Sequence, residues 1–354
     1  MNTLKVFIIG STRSGSNLLR VMLGQLPNIA IPHPPHIIHR LMPLVPSYGD
    51  LNLTQNFTSL IEDACRLVEL NFVQWEMKLD QKEIFQRCRQ PNLIEITVAI
   101  YDSYAERYRK AGWVNKSNYN VHYALEIERI FPDAKFIYLY RDGRDVALSN
   151  LKGIVGEKHY YFMANDWHTT QQKALKFKLS SANCHPLRYE DLVIQPEETC
   201  QALCQFLGVT YTVQMMEFYH SQEAQQSASS SQVMGNIVKP VMKDNVQKFL
   251  KSTSYEDLRI FETVAGASLD ALGYKRIAVQ PEEELQFSEG NIQKFEIENN
   301  RLKEAAWTEW SGADREARQK LGTYLAEIAE RNASGEEVLE QLKKNAMGTL
   351  LNIK

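Results

Sequence analysis

A short apolar run, Val6-Phe7-Ile8-Ile9, passes directly into Gly10-Ser-Thr-Arg13-Ser14-Gly15-Ser16-Asn17. Leu18, Leu19, Met22, Leu23 and Leu26 then follow at helical spacing. A buried strand, a glycine turn and an amphipathic helix in that order form the first unit of a parallel sheet, and few other topologies accept them. Later segments continue the theme. Asn28–Ile31, Trp113–Val114, Ala134–Tyr140 and Pro186–Tyr189 read as short strands, and residues 55–110 are mainly helical in pattern. Pro196–Leu207 opens with proline and is followed by Gly208, the expected start and stop of a helix. Ser254–Leu272 opens with a capping Ser-x-x-Asp and closes at Gly273. The polar, Ser-rich stretch 221–236 is expected to be a mobile loop.

The fold class expected is α/β: a P-loop-like parallel sheet flanked by helices, with a helical C-terminal extension. Composition changes after Arg276 to a Glu- and Lys-rich pattern with little strand signal. We therefore expect an α/β domain over residues 1–276 and a helical appendage over 277–354. From residue 280 onward there are fifteen acidic and ten basic residues, so that segment carries −5 of a net charge of −3 and leaves the body at about +2. Neither part is basic enough for a nucleic-acid footprint. The apolar run at the start is too short for a signal-peptide core, and no stretch is long enough for a membrane span. The five cysteines are odd in number and form no CxxC pair, which points to buried thiols in a reduced, cytoplasmic protein.

Gly10 and Gly15 keep the G-x4-G spacing of a nucleotide phosphate loop. Glycines let such a turn aim backbone N–H groups and a helix N-terminus at an anion. The Lys-Ser/Thr pair that handles a magnesium triphosphate is replaced by Ser16-Asn17, and Arg13 sits inside the turn. In mid-chain the strand AKFIYLY runs into Arg141-Asp-Gly-Arg144-Asp-Val-Ala-Leu-Ser149. An arginine at the carboxyl end of a strand, with a hydroxyl two helical turns later, suits a terminal phosphate.

TRSGSNLL together with FIYLYRDGRDVALS resembles the sulfotransferase family, whose members use 3′-phosphoadenosine 5′-phosphosulfate (PAPS) as co-substrate. The resemblance covers residues 5–275. It implies that Arg13, Ser14, Gly15, Ser16 and Asn17 grip the phosphosulfate, and that Arg141 and Ser149 grip the 3′-phosphate. Lys116 in WVNKSNY resembles the lysine at the transferring group. Tyr189 in LRYEDLV resembles a residue beside the adenine, and Lys239 in VKPVMKDNVQKF the late basic segment that closes over the cofactor. No metal is implied.

Transfer also needs a base for the acceptor's proton. The corner after the second strand reads Ile31-Pro-His33-Pro-Pro-His36-Ile-Ile-His39 and contains no acid, so His36 or His33 is the candidate. Arg13, Lys116 and Lys239 are the cations available to the leaving nucleotide. Asp166-Trp167-His168 reads as packing or an acceptor wall, Glu190-Asp191 as a helix cap, and Trp307 with Trp310 as contacts docking the tail.

The resemblance implies in-line transfer of a sulfuryl group from PAPS to a hydroxyl or amine; the acceptor is left open among a small molecule, lipid, glycan or peptide, and self-association as a homo-oligomer through the C-terminal helices is also open. Two other functions are compatible with these residues: a P-loop nucleotide kinase, and a non-catalytic nucleotide-binding protein on the same fold.

Overall fold

The computed structural model describes residues 3–309 except 72 and 231, together with residues 312–332. Its centre is a five-stranded, wholly parallel sheet in the order β2-β3-β1-β4-β5. The strands are β1 (Leu4–Ile9), β2 (Ile29–Ala30), β3 (Gly112–Lys116), β4 (Lys135–Tyr140) and β5 (Cys184–Arg188). Successive side chains point to opposite faces, so strands buried on both sides read as continuous apolar runs. Val6, Phe7, Ile8 and Ile9 are all fully buried, with Phe7 and Ile9 entering one core and Val6 and Ile8 the other.

Helices cover both faces. The N-terminal half supplies α1 (Ser16–Leu23), α2 (Ile37–Leu41), α3 (Thr54–Glu69), α4 (Gln81–Arg87), α5 (Leu93–Arg107) and α6 (Ala124–Ile130). The middle supplies α7 (Gly143–Leu151), α8 (Tyr160–Ser180), α9 (Tyr189–Ile194), α10 (Pro196–Leu207) and α11 (Gln222–Ser230). Beyond these come α12 (Phe249–Ser252), α13 (Tyr255–Ala271), α14 (Glu289–Glu309) and α15 (Gly312–Asn332). Local chemistry sets many of the ends. Asp80, Asn92, Asp142 and Ser254 each accept a hydrogen bond from the first turn of the following helix, and Gly208 ends α10 in the left-handed region at φ 75°.

One expectation is corrected. Much of the stretch 221–236 is helical: it forms α11 and, from Gln232 to Val238, a 3-10 helix. The cause is long-range. Ala224 is buried, and Glu223 and Ser227 meet the buried side chain of Arg20 on α1. Periodicity within the segment carries no trace of that partner.

Residues beyond 276 pack against the same body. The Glu262 carboxylate accepts from the backbone N–H groups of Ile277, Ala278 and Val279 and fixes the chain's direction there. On α14, the Asn299 side chain accepts from the N–H groups of Lys158 and His159. Leu321, Leu325, Ile328 and Ala329 of α15 join the core formed by α2, α3 and α5. Trp307 is half-buried on α14, whereas Trp310 lies outside the described residues. Among the described residues no helix is long and apolar enough to cross a membrane.

Asp63 on α3 anchors α15. Only 1% exposed, it accepts hydrogen bonds from Tyr48, Tyr324 and Arg331, the last two on α15. Removing a buried acceptor leaves its donors unpaired, at about 1–3 kcal/mol for each well-buried group. We predict that Asp63→Ala lowers unfolding stability by roughly 2–4 kcal/mol and speeds amide exchange in 312–332 before the rest of the chain. Chemical denaturation with hydrogen-exchange mass spectrometry measures both, and exchange in α15 at the wild-type rate would contradict the assignment.

Candidate active site

In an open parallel sheet, ligands collect beyond the carboxyl ends of the strands. All five ends here carry a residue singled out from the sequence. Across the sheet they run from His33 and His36 after β2, through Lys116 closing β3 and the glycine loop after β1, to Arg141 after β4 and Tyr189 after β5. Residues as distant in sequence as Gly15 and Tyr189 become neighbours because the strands are parallel.

The loop is shaped by close approach. Gly10 has φ 133°, and a Cβ there would lie 2.2 Å from the Leu139 carbonyl oxygen. Gly15 has φ 91°, and a Cβ there would lie 2.3 Å from the Tyr189 ring. Side chains lock the turn from below. Ser11 Oγ lies 2.8 Å from Ser14 Oγ, Asn118 donates to the Ser11 carbonyl at 2.9 Å, and Gln171 donates to Ser11 Oγ at 3.3 Å. Tyr138 donates in turn to Gln171 at 2.5 Å. Ser16 and Asn17 open α1, whose first N–H groups have no upstream carbonyl to bond.

Arg13 is left-handed at φ 62°, and its Nε donates to Ser149 Oγ at 3.1 Å. Arg141 donates to the Arg13 carbonyl at 3.3 Å and to the Asn245 carbonyl at 2.8 Å, and its guanidinium lies 4.3 Å over the Tyr189 ring. The two phosphate-type motifs therefore meet directly. Burial, and then the charge of Arg141, pulls the Arg13 pKa down. Arg141 is only 6% exposed, and its Nε has no hydrogen-bond partner among the described residues.

Several braces hold Arg141 in place. Trp167 donates to its carbonyl at 3.3 Å, and Glu190 accepts from the Asp142 N–H at 3.0 Å and from Tyr274 at 2.9 Å. Trp167 is thus packing rather than an acceptor wall, and Glu190 stabilises the β4 turn rather than capping the helix it begins.

The late segment joins through residues that sequence reasoning missed. Asp145 accepts from the N–H groups of Gln247 at 2.7 Å and Phe249 at 3.1 Å, and Asn245 donates to the Tyr189 hydroxyl at 2.6 Å. Lys239 is exposed, and no hydrogen bond or ion pair among the described residues ties its side chain to this cluster. Asn245 is the residue of that segment that reaches Arg141 and Tyr189. The signal that could have located it is Asp145, a helix-borne acid in want of donors.

On the other side, His36 stands in the left-handed region at φ 54°, and its Nδ1 lies 3.0 Å from Ser117 Oγ. The His33 carbonyl accepts from Asn71 and from Trp75 Nε1, both at 2.8 Å, and the imidazole is buried. Burial holds both histidines well below the usual imidazole pKa; Arg20 is the next cause for His33 and Arg40 for His36. Both are therefore neutral near pH 7 and able to accept a proton. Burial, then Arg20 and Arg13, pushes Lys116 down to about 7. Among the described residues no group of His, Cys, Asp or Glu is arranged to hold a metal ion.

A cavity of about 280 Å³ lined by Lys5, Arg87, Asp102 and Phe131 opens at the opposite, amino-terminal end of the sheet and holds none of these residues. The strand-end cluster can seat an elongated anion and take a proton beside it. Residues 5–213 match the profile described as the sulfotransferase family. The chain belongs to that family. Protein-tyrosine sulfotransferase 2 of Gallus gallus is 23% identical over 78% of this chain and 71% of its own length. Protein-tyrosine sulfotransferase A of Caenorhabditis elegans is 24% identical over 78% of this chain and 68% of its own. The sulfotransferase domain from the curacin biosynthetic pathway superposes with a TM-score of 0.53 at 21% identity, covering 78% of this chain and 99% of that domain, and shares the fold.

A pH dependence follows for this sulfotransferase. Lys116 is a cation only below its depressed pKa of about 7, so its positive charge is lost as pH rises through that value. We predict that kcat/KM, which reports the free enzyme, falls on an alkaline limb centred near pH 7. Lys116→Arg is expected to remove the limb up to pH 9 while lowering the maximum. An unchanged limb in that variant would assign it elsewhere.

Proposed function

We propose that this sulfotransferase moves a sulfuryl group from PAPS to a hydroxyl acceptor, with a tyrosyl side chain as the first acceptor class to test. The observation that carries the reading is the direct contact between the two anion motifs, Arg13 with Ser149 and Arg141 with Arg13. Asp145 lies 3.6 Å from Arg141, whereas Arg13 has no ion pair among the described residues, and two guanidinium groups held together favour a shared anion.

The residues present fit the donor. The buried Nε of Arg141, without a hydrogen-bond partner among the described residues, leaves a donor at the strand ends, where Arg141 and Gly15 pack on the Tyr189 ring. Arg13 and the amides and hydroxyls of Ser14–Asn17 would hold the phosphosulfate, Arg141 and Ser149 the 3′-phosphate, and Tyr189 with Asn245 the nucleoside. When bound, PAPS supplies a sulfuryl group activated by its anhydride link to phosphate.

The chain's own part is alignment and charge. Arg13 and Lys116 bring positive charge to the loop, and such preorganised charge is commonly the largest contribution to transfer. His36 is the base: with Nδ1 held by Ser117, its Nε2 takes the proton leaving the acceptor hydroxyl. His33 stands beside it as the second candidate. The proposed tyrosyl acceptor rests on the names of the relatives. The five unpaired thiols support a cytoplasmic setting.

Calorimetric titration with adenosine 3′,5′-bisphosphate tests the donor site. Arg141→Ala is expected to weaken binding roughly 10- to 100-fold, and equal affinity would remove the assignment. For the base, His36→Ala is expected to cut sulfate transfer from labelled PAPS to a tyrosyl peptide by roughly 100-fold, with bisphosphate affinity retained. If His33→Ala alone shows that loss, the base is His33.

A further inference from the structure

Arg20 lies on α1, just past the phosphate loop, and its side chain is fully buried. Its two terminal nitrogens are taken by one element: Glu223 and Ser227 of α11, the latter at 2.6 Å. Its Nε has no partner. α11 lies beyond the region matched by the family profile, which ends at residue 213. A buried guanidinium in the loop helix thus takes its only counter-charge among the described residues from outside that region. From Arg20 the contacts continue to the base side of the site: the Tyr101 hydroxyl feels its charge, Tyr101 meets Trp75, and Trp75 donates to the His33 carbonyl.

We propose that Glu223 is a positioning residue for sulfuryl transfer: through Arg20 it seats α11 against the loop helix and sets the electrostatic balance at Lys116 and His33. It presupposes the role given above to Lys116. The charged groups facing each partner make the sign definite. Lys116 feels Arg20 and Arg13; His33 feels Arg20, Lys116 and Arg40; His36 feels Arg40, Lys116, His39 and His33. Every one of these neighbours is basic. The Glu223 carboxylate, which also faces Tyr104, is the group that offsets Arg20. With the carboxylate gone, the full charge of Arg20 bears on Lys116, which then loses its proton at lower pH. A purely structural role for Glu223 would loosen α11 without moving that titration.

The test follows the Lys116 side chain by NMR in the ligand-free, full-length protein carrying isotope-labelled lysine, with the resonance assigned from Lys116→Arg. Glu223→Gln is expected to lower the Lys116 midpoint by about one pH unit and to move the alkaline limb of kcat/KM the same way. Glu223→Asp, which keeps the charge, is expected to restore most of the shift, and Ser227→Ala to leave the midpoint in place. Bisphosphate affinity at about pH 5, where Lys116 carries its charge in every variant, is expected to stay within about threefold of wild type. A Lys116 midpoint unmoved in a folded Glu223→Gln protein would overturn the proposal. Should that variant not fold, Arg20→Gln is read instead and must raise the midpoint; a fall or no change would overturn it equally. Absence of bisphosphate binding by the wild type would sink the donor assignment, while the lysine midpoint would still decide the role of Glu223.

Discussion

Two positive side chains, Arg13 and Arg141, are held in one place although they repel each other. Parallel strand order forces this proximity, because β1 and β4 are adjacent and both end at the same edge of the sheet. Strand pairing and core burial outweigh the repulsion, and Asp145, 3.6 Å from Arg141, offsets part of it, so the fold tolerates the pair. An anion seated between them converts the repulsion into attraction. Ligand binding and local stability at the strand ends are therefore coupled.

Much of the surrounding structure serves to keep those groups from moving apart. Ser11, Ser14, Gln171 and Asn118 lock the loop, Trp167 and Glu190 lock the β4 turn, and Asp145 anchors the strap that carries Asn245. Backbone strain marks the same region. Four described non-glycine residues have positive φ: Arg13, His36, Arg109 and Gln247. Three of them touch the site or its strap, in keeping with the tendency of strained residues to persist only where surrounding contacts over-determine them.

The parts legible in the sequence were those written locally. The strand, glycine turn and helix around Gly10–Asn17 announce themselves by composition and period, as does Arg141 at the end of an apolar run. Their meeting needed only the parallel topology that the first unit implies. What stayed hidden was pairing across long separations. Nothing near Gln222–Ser230 says that Arg20 waits 203 residues upstream for Glu223, so a polar segment reads as a loop. Likewise Lys239 is the conspicuous cation of its segment, yet Asn245 makes the contacts: its side-chain amide donates to the Tyr189 hydroxyl, and its backbone carbonyl accepts from Arg141. The docking of α15 on Asp63 is hidden for the same reason.

The same physics bears on the proposed base and on the proposed cation. Burial among cations keeps His33 and His36 neutral, which a base requires, and it also drives Lys116 toward losing its charge, which a cation cannot afford. One environment cannot favour both unless something negative arrives. An anion in the Gly10–Asn17 loop would be that charge: it would raise the Lys116 pKa, since opposite charge nearby favours the charged form. The histidines, on the far side of Lys116 from the loop, would be affected less. Anion binding at the phosphate loop would therefore let the proposed cation and the proposed base coexist in their working forms.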